Sequence, residues 1–471
     1  NPASKEKGQI HFYDIGDYHD RKQKLSIIEN LKSIDGIKAK ADFKQIEPDE
    51  ENDWVNQGDR AYYDFISIGN KKDKSTASIF GVYSSGVKTN RDFWVYNFSA
   101  KNLTSKISLM IDTYNNEIEQ LKINSSYKFT LDKTKIKWDG EMLVDARKFK
   151  SGEFSENCSR ISSYRPFCKQ HYYFSSQFNS RTYQIPKLFP KNDTKNLAIC
   201  TTGVGSAGFS CLITDSIPCL DMVSKGQAFP LKSYEKASDA GELFQQGTVE
   251  DEYVERDGIS DEGYAHFQSA YSDKSFTKED LFYYIYGLLH SEGYRERFQN
   301  NLTKELPRIP AVKKFEDFMA FSKAGRDLAE LHLNYETVEP FPVDINGGSL
   351  DLSLSMGKQS PEEFYRVTKM KFGGKRPNQD KTTVIYNHNI TMSNIPLEAY
   401  DYFVNGKPAL GWVMDRQQVT KDKASGIVND CNDYANETVG DPTYPLKLFQ
   451  RVITVSLETM KIIRALPKMD I

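Results

Sequence analysis

Seven apolar residues, Leu103, Ile107, Met110, Ile111, Tyr114, Ile118 and Leu121, recur at intervals of three and four along one stretch of this chain. They fall on a single stripe, so the spacing predicts a long amphipathic helix that is unstable without a body on its apolar side. We expect it to be a connector between two such bodies. Ahead of it the pattern gives a strand over 9–13, a helix over 21–33, a polar acidic stretch over 40–60, and strands over 78–83 and 93–98. From about 125 to 275, short β-branched and aromatic runs alternate with Gly, Ser, Asn and Pro turns, the mark of strands. Helical spacing returns over 280–290, 292–304 and 315–335, broken by Pro307 and Pro310. A mixed segment at 350–395 follows, then helices over 397–404, 411–418 and 446–466. The expected fold class is mixed α/β (α+β), a strand-rich body with helical blocks and a long connector helix. The expected divisions are 1–122, 123–345 and 346–471.

Length and charge narrow the function classes. A chain of 471 residues can hold two or three domains, and its formal net charge is only -3. A whole-chain basic signature for nucleic acid is therefore missing, and any such site must be local. The six cysteines form no C-x-x-C pair and no zinc spacing with His, which reads as a reducing, intracellular compartment. There Asn102 and Asn301 are sequons without consequence. No apolar run approaches the roughly 20 residues of a membrane span, and no signal peptide is evident. The polar start without Met suggests a piece of a longer protein.

The segment 160–183, RISSYRPFCKQHYYFSSQFNSRTY, has no acidic residue. It interleaves Arg160, Arg165, Lys169 and Arg181 with Tyr164, Phe167, Tyr172, Tyr173, Phe174, Phe178 and Tyr183. Guanidinium forks grip phosphates and guanine edges, and aromatic faces stack on unpaired bases. The same composition also makes ordinary amphipathic strands, with Arg165 paired to an internal carboxylate such as Glu153 or Glu156. Lys88, Thr89, Asn90 and Arg91, in a loop expected between two strands, offer side chains that contact phosphates or base edges, or else a solvated hairpin tip. A basic turn carries Lys371, Lys375, Arg376 and Asn378 around two glycines that permit close backbone approach. We expect it to touch phosphates. Lys88, Arg91, Arg165 and Lys169 are expected to line one concave face.

Catalytic patterns are scarce. Gly203-Val-Gly205-Ser-Ala-Gly208 has G-x-G-x-x-G spacing, but Pro218 and β-branched residues follow where a dinucleotide site needs a helix. A hairpin or a loop near a ligand backbone is the favoured alternative. No Walker loop, nucleophile elbow, H-E-x-x-H or adenine-binding NPPY tetrapeptide occurs. Asp14 and Asp17 fit a turn better than an acid pair, and His290 and His332 fit helix cores. No catalytic, cofactor or metal residue is assigned.

Several long stretches resemble the C-terminal region of type ISP restriction–modification enzymes. They are LFYYIYGLLHSEGYRERFQNNLTKELPRIP, FMAFSKAGRDLAELHLNYE, residues 163–174, KGQAFPL at 225–231, DKTTVIYN at 380–387 and RVITVSLETMKII at 451–463. The resemblance implies a DNA target recognition domain preceded by a strand and helix flanking an N6-adenine methyltransferase core. The methyltransferase, a helicase-like translocase and a nuclease would lie upstream in the same bacterial, cytoplasmic polypeptide. S-adenosylmethionine, ATP and Mg would serve those parts, with no cofactor in this one and double-stranded DNA as its partner. Two rivals remain: a stand-alone transferase using the Gly203–Gly208 loop, and a protein-docking scaffold with a broad apolar patch.

Overall fold

The computed structural model describes residues 8–16, 19–33, 43–71, 76–237, 252–346, 356–375 and 377–471. It is mixed α/β, as the patterning predicts. Residues 1–60 and 61–471 form two compact units. In the first, Ile10–Phe12 pairs antiparallel with Lys44–Ile46, and Arg21–Leu31 is a helix. Asp20 and Gln23 form a reciprocal capping box at its start. Leu25 and Ile28, on its apolar face, stay 47% and 60% exposed.

The second unit holds residues from all three expected divisions. Short segments from one expected domain pair with strands from another. Ile66–Ser67 is hydrogen-bonded to Arg308–Ile309, and Ser84–Ser85 to Gln227–Pro230. Residues 62–83 share a core with 199–229 and with the helices of 281–329. A second core joins the long helix, the 159–173 strands, the 364–414 region and the terminal helix Tyr444–Arg464.

The stripe at 103–121 does form one helix, Ala100–Ile123, started by Ser99, whose side chain accepts from the Asn102 amide. All seven stripe residues are buried. They lie within the second unit rather than between two bodies, packed beside a four-stranded sheet. That sheet runs Ile217–Pro218, Ser159–Arg165, Cys168–Tyr173, Tyr96–Asn97. The helix also buries Lys106, which donates to the carbonyls of Phe93 and Tyr96, the latter at 2.6 Å.

A second four-stranded sheet orders Ser84–Ser85, Gln227–Pro230, Ala198–Thr201 and Cys211–Thr214. The third orders Asp344–Ile345, Thr391–Ser393, Asn378–Ile385 and Lys371–Lys375. Its last two strands make a hairpin with a bulge at Phe372/Gly373.

Near the start of the long helix sit three carboxylates. Ser99 donates to Glu437 at 2.7 Å, Asn102 donates to Asp433 at 3.4 Å, and Asp430 pairs with Arg366. Burial, and then the charges of Asp430 and Glu437, push the Asp433 carboxyl up to about 6. Its folded value lies above the unfolded value of about 3.9. The stability it contributes is thus fully present below pH 4 and lost as pH rises through 6. Asp433→Asn should stabilise the chain above pH 6 by about 1 kcal/mol, after allowing for solvent screening, and should gain nothing near pH 4. Urea melts at the two pH values check this; a gain independent of pH would contradict it.

Candidate nucleic-acid interface

Residues 84–88 are paired, extended backbone rather than a free hairpin tip, and the chain turns at Asn90, φ 57. Gly86 lies so close to the neighbouring chain that a Cβ would stand 2.6 Å from the Cys219 carbonyl oxygen. Lys88 exchanges both backbone hydrogen bonds with Arg181, at 2.9 and 2.8 Å. Strand alternation turns Val87 and Thr89 inward and Lys88 outward. The turn at Asn90 then leaves Asn90 exposed and Arg91 buried. Thr89 donates to Asp92 and accepts from the Arg91 amide at 3.1 Å, so its hydroxyl serves the turn.

Arg91 is 1% exposed. It pairs with Asp139 and donates to the carbonyls of Lys137 at 3.0 Å and Phe178 at 2.6 Å. The expectation of a ligand-facing Arg91 is corrected: it is an internal cross-link joining three segments. Asn90 reaches Ser180 at 3.0 Å, and Arg181 is exposed but paired with Glu141.

Arg165 ends its strand before a tight Pro166-Phe167 turn, with Phe167 at φ 55. Its side chain is only 14% exposed and lies over the Tyr164 ring at 4.0 Å. It donates to the Tyr164 carbonyl at 2.7 Å and to Cys219 Sγ at 3.1 Å, and pairs with Asp92 and Asp221. Burial opposes its charge, but Cys219, Tyr164, Asp92 and Asp221 together push its pKa up. The internal carboxylate alternative therefore holds in kind, with Asp92 and Asp221 in place of Glu153 and Glu156.

Lys169 is 17% exposed and pairs with Glu336 at 3.0 Å. Again burial opposes the charge, while Glu336 and Asp215 raise the pKa. The four expected face residues are thus not one free cationic surface. Asp92 does join the 88–92 segment to Arg165, whereas Lys169 points to Glu336 and Asp215. Arg160 lines a cleft of about 250 Å³ with Lys169, Lys191 and Asp215. It donates to the Pro190 carbonyl at 3.2 Å, and its Nε is buried without a hydrogen-bond partner among the described residues.

The aromatic residues of the segment are mainly core. Phe167, Tyr172, Tyr173 and Phe178 are buried, and Tyr172 stacks on Tyr96 at 4.4 Å. Tyr164, half-buried, donates to Asp92 at 3.0 Å. Only Tyr183 among the seven is largely open, at 42%.

The basic turn fares differently. Lys371, Lys375 and Asn378 are all exposed, with Gln379 beside Asn378 at the hairpin end. Among the described residues neither lysine has an ion-pair partner. Arg376 lies outside the described residues. The glycines serve the hairpin itself. Gly374 has φ +71, and a Cβ there would meet the Asn378 carbonyl oxygen at 2.8 Å.

The Gly203–Gly208 loop is a turn between two strands, with no helix at its third glycine. A Cβ on Gly203 would fall 2.3 Å from the Lys225 carbonyl oxygen, and the Gly205 amide donates to Thr303 at 2.9 Å. Lys225 Nζ covers the Gly205 carbonyl at 2.7 Å. Packing against the chain consumes this backbone, which removes the dinucleotide arrangement. Asp14 accepts from the Gly16 amide in a local turn, and Asp17 lies outside the described residues. His290 and His332 are buried; His332 bonds Tyr286 at 2.6 Å and Thr459 at 2.9 Å. Burial, then Arg295, lowers the His332 pKa to about 3, so it stays neutral.

Pattern reading overlooked Lys135, Lys137, Lys421 and Lys423, all exposed. The available signal was only their i, i+2 spacing; in the structure Lys135 and Lys423 lie in turns.

No helix among the described residues is long and apolar enough to cross a membrane. No curated protein matches the chain. Solved structures do. The ATP-dependent type ISP restriction-modification enzyme LlaBIII bound to DNA superposes with TM-score 0.83 and 33% identity over 99% of this chain. A nuclease-deletion mutant of the type ISP enzyme LlaGI with a DNA substrate mimic gives 0.80 and 33% over 98%. The DrdV–DNA complex gives 0.77 and 28% over 98%. The chain spans 28%, 33% and 44% of those three chains. The model of the type ISP C-terminal specificity domain matches residues 78–448, most of the sequence. The chain belongs to the family of type ISP C-terminal specificity domains.

Proposed function

We propose that this chain is the DNA target recognition domain of a type ISP restriction–modification enzyme. The observation that carries the reading is its likeness, over nearly all its length, to enzymes solved with DNA. In this reading duplex DNA is the ligand. Methyl transfer, ATP-driven translocation and cleavage belong to other parts of a bacterial cytoplasmic polypeptide, where S-adenosylmethionine, ATP and Mg act.

The 371–385 hairpin is the best-presented contact element. A two-stranded ribbon fits the major groove, and its free lysines suit phosphates at the groove edge. Anisotropy with labelled duplexes tests this. Lys371→Ala with Lys375→Ala should weaken binding to specific and random duplexes by a similar factor and lower the salt slope by up to about two. Relaxed preference at a single base pair would refute the phosphate role. Failure of the unaltered chain to bind any duplex would sink the larger reading.

A further inference from the structure

Four exposed lysines outside the 371–385 hairpin stand in two close pairs. Lys135 and Lys137 precede the short helix Gly140–Arg147, and Lys421 and Lys423 sit at the turn of the hairpin Val419–Lys421/Val428–Asp430. None of the four has an ion-pair partner among the described residues. Two of the carboxylates nearest in sequence are paired elsewhere, while Asp132 and Asp422 keep their charge beside Lys135 and Lys137. Asp132 accepts from Thr134, Asp139 pairs with Arg91, Glu141 with Arg181, and Asp422 accepts from Ser425. Residues 132–137 and 421–423 together carry five lysines against two carboxylates, on a chain whose total is -3.

Backbone contacts link these lysines to the sites described above. Arg91 Nε binds the Lys137 carbonyl at 3.0 Å, three residues from outward-facing Lys88. The 419–430 hairpin is tied to the same region by Phe98 N to Asn429 Oδ1 at 2.8 Å. On its other side Gln418 bridges Lys369, and the Val419 amide donates to Thr368 at 3.0 Å, just before Lys371. Lys137 also helps hold the Asp422 carboxyl below its ordinary value, after the Ser425 hydrogen bonds, which places it beside that turn.

We propose that Lys135, Lys137, Lys421 and Lys423 form a sequence-independent track for backbone phosphates of duplex DNA, running between Lys88 and Lys371. The proposal deepens the recognition reading and rests on it. Duplex is favoured over single strands because the aromatic ring next to Lys137 in sequence is occupied. Trp138 packs on Tyr114 and Phe129 and donates its Nε1–H to Thr130, leaving no open stacking platform there. Exposed ammonium groups with no ion-pair contact among the described residues suit a polyanion whose counterions they release.

The test compares the unaltered chain with the fourfold variant Lys135→Ala, Lys137→Ala, Lys421→Ala and Lys423→Ala. The probe is a fluorescein-labelled random-sequence duplex about three helical turns long, titrated across a salt series. The variant should bind at least about tenfold more weakly, with a salt slope lower by about 2–4. Four Lys→Arg changes should keep both. A fourfold Lys→Gln set reads the same slope should the alanines disturb folding. An unchanged slope in a variant that melts normally overturns the track, and so does weakening confined to one DNA sequence. If the unaltered chain binds no duplex, the recognition reading fails first; if it binds and only the slope is unmoved, the track alone fails.

Discussion

Arg91→Ala is expected to destabilise the chain by about 3–5 kcal/mol, because it strands a partly buried carboxylate and two carbonyls. Asp139 is anchored by this guanidinium, and the Lys137 and Phe178 carbonyls accept from it. Arg91 is also among the largest fully buried side chains, so alanine leaves a void as well as unpaired groups. Lysine is not a conservative replacement, since one ammonium cannot reproduce a planar fork reaching three acceptors. Urea denaturation measures the loss. DNA affinity should fall only as the folded fraction falls, unlike Lys88→Ala, which should leave the melt unchanged. A loss under 1 kcal/mol would show that the three acceptors find other donors.

The second large effect is expected at the crossing of two helices, Lys278–Leu288 and Phe315–Leu333. Their backbones touch at Gly287 and Gly325. A Cβ on Gly325 would lie 1.9 Å from the Tyr283 carbonyl oxygen, and one on Gly287 would lie 2.2 Å from that of Phe321. Both obstacles are main-chain atoms, which cannot rotate away. Gly325→Ala gains about 1 kcal/mol of helix propensity in isolation. Separating the helices loosens a core containing Phe282, Tyr284, Phe318 and Phe321, so the net should be a loss of at least about 3 kcal/mol. Thermal melting of the variant decides it. Unchanged or raised stability would mean that the helices part without loss of packing.

The sequence by itself determined the long helices and their apolar faces but not the short elements. Asp92–Val95 is helical where a strand over 93–98 is expected, and 397–404 is a 3-10 turn and a strand rather than a helix. Gly140–Arg147 and Asp261–Ala270 are helices within the strand-rich stretch. Periodicity places the 100–123 helix, the 278–333 block and the terminal helix within a few residues of their observed ends. Lys371–Lys375, expected as a turn, is instead a strand of a hairpin, whereas the glycine loop at 203–208 is the turn that its composition implies. These properties are local: side-chain spacing and backbone freedom act within a few residues. Tertiary structure alone decided which cations are free. Lys88 and Arg91 are three residues apart, yet one is exposed and the other is sealed by chain from 137, 139 and 178. Arg165 and Lys169 meet carboxylates at 92, 221 and 336, separated by distances in sequence that no motif spans. A charged side chain's role depends on whether a partner of opposite sign folds over it, and the chain supplies that partner from any distance along its length.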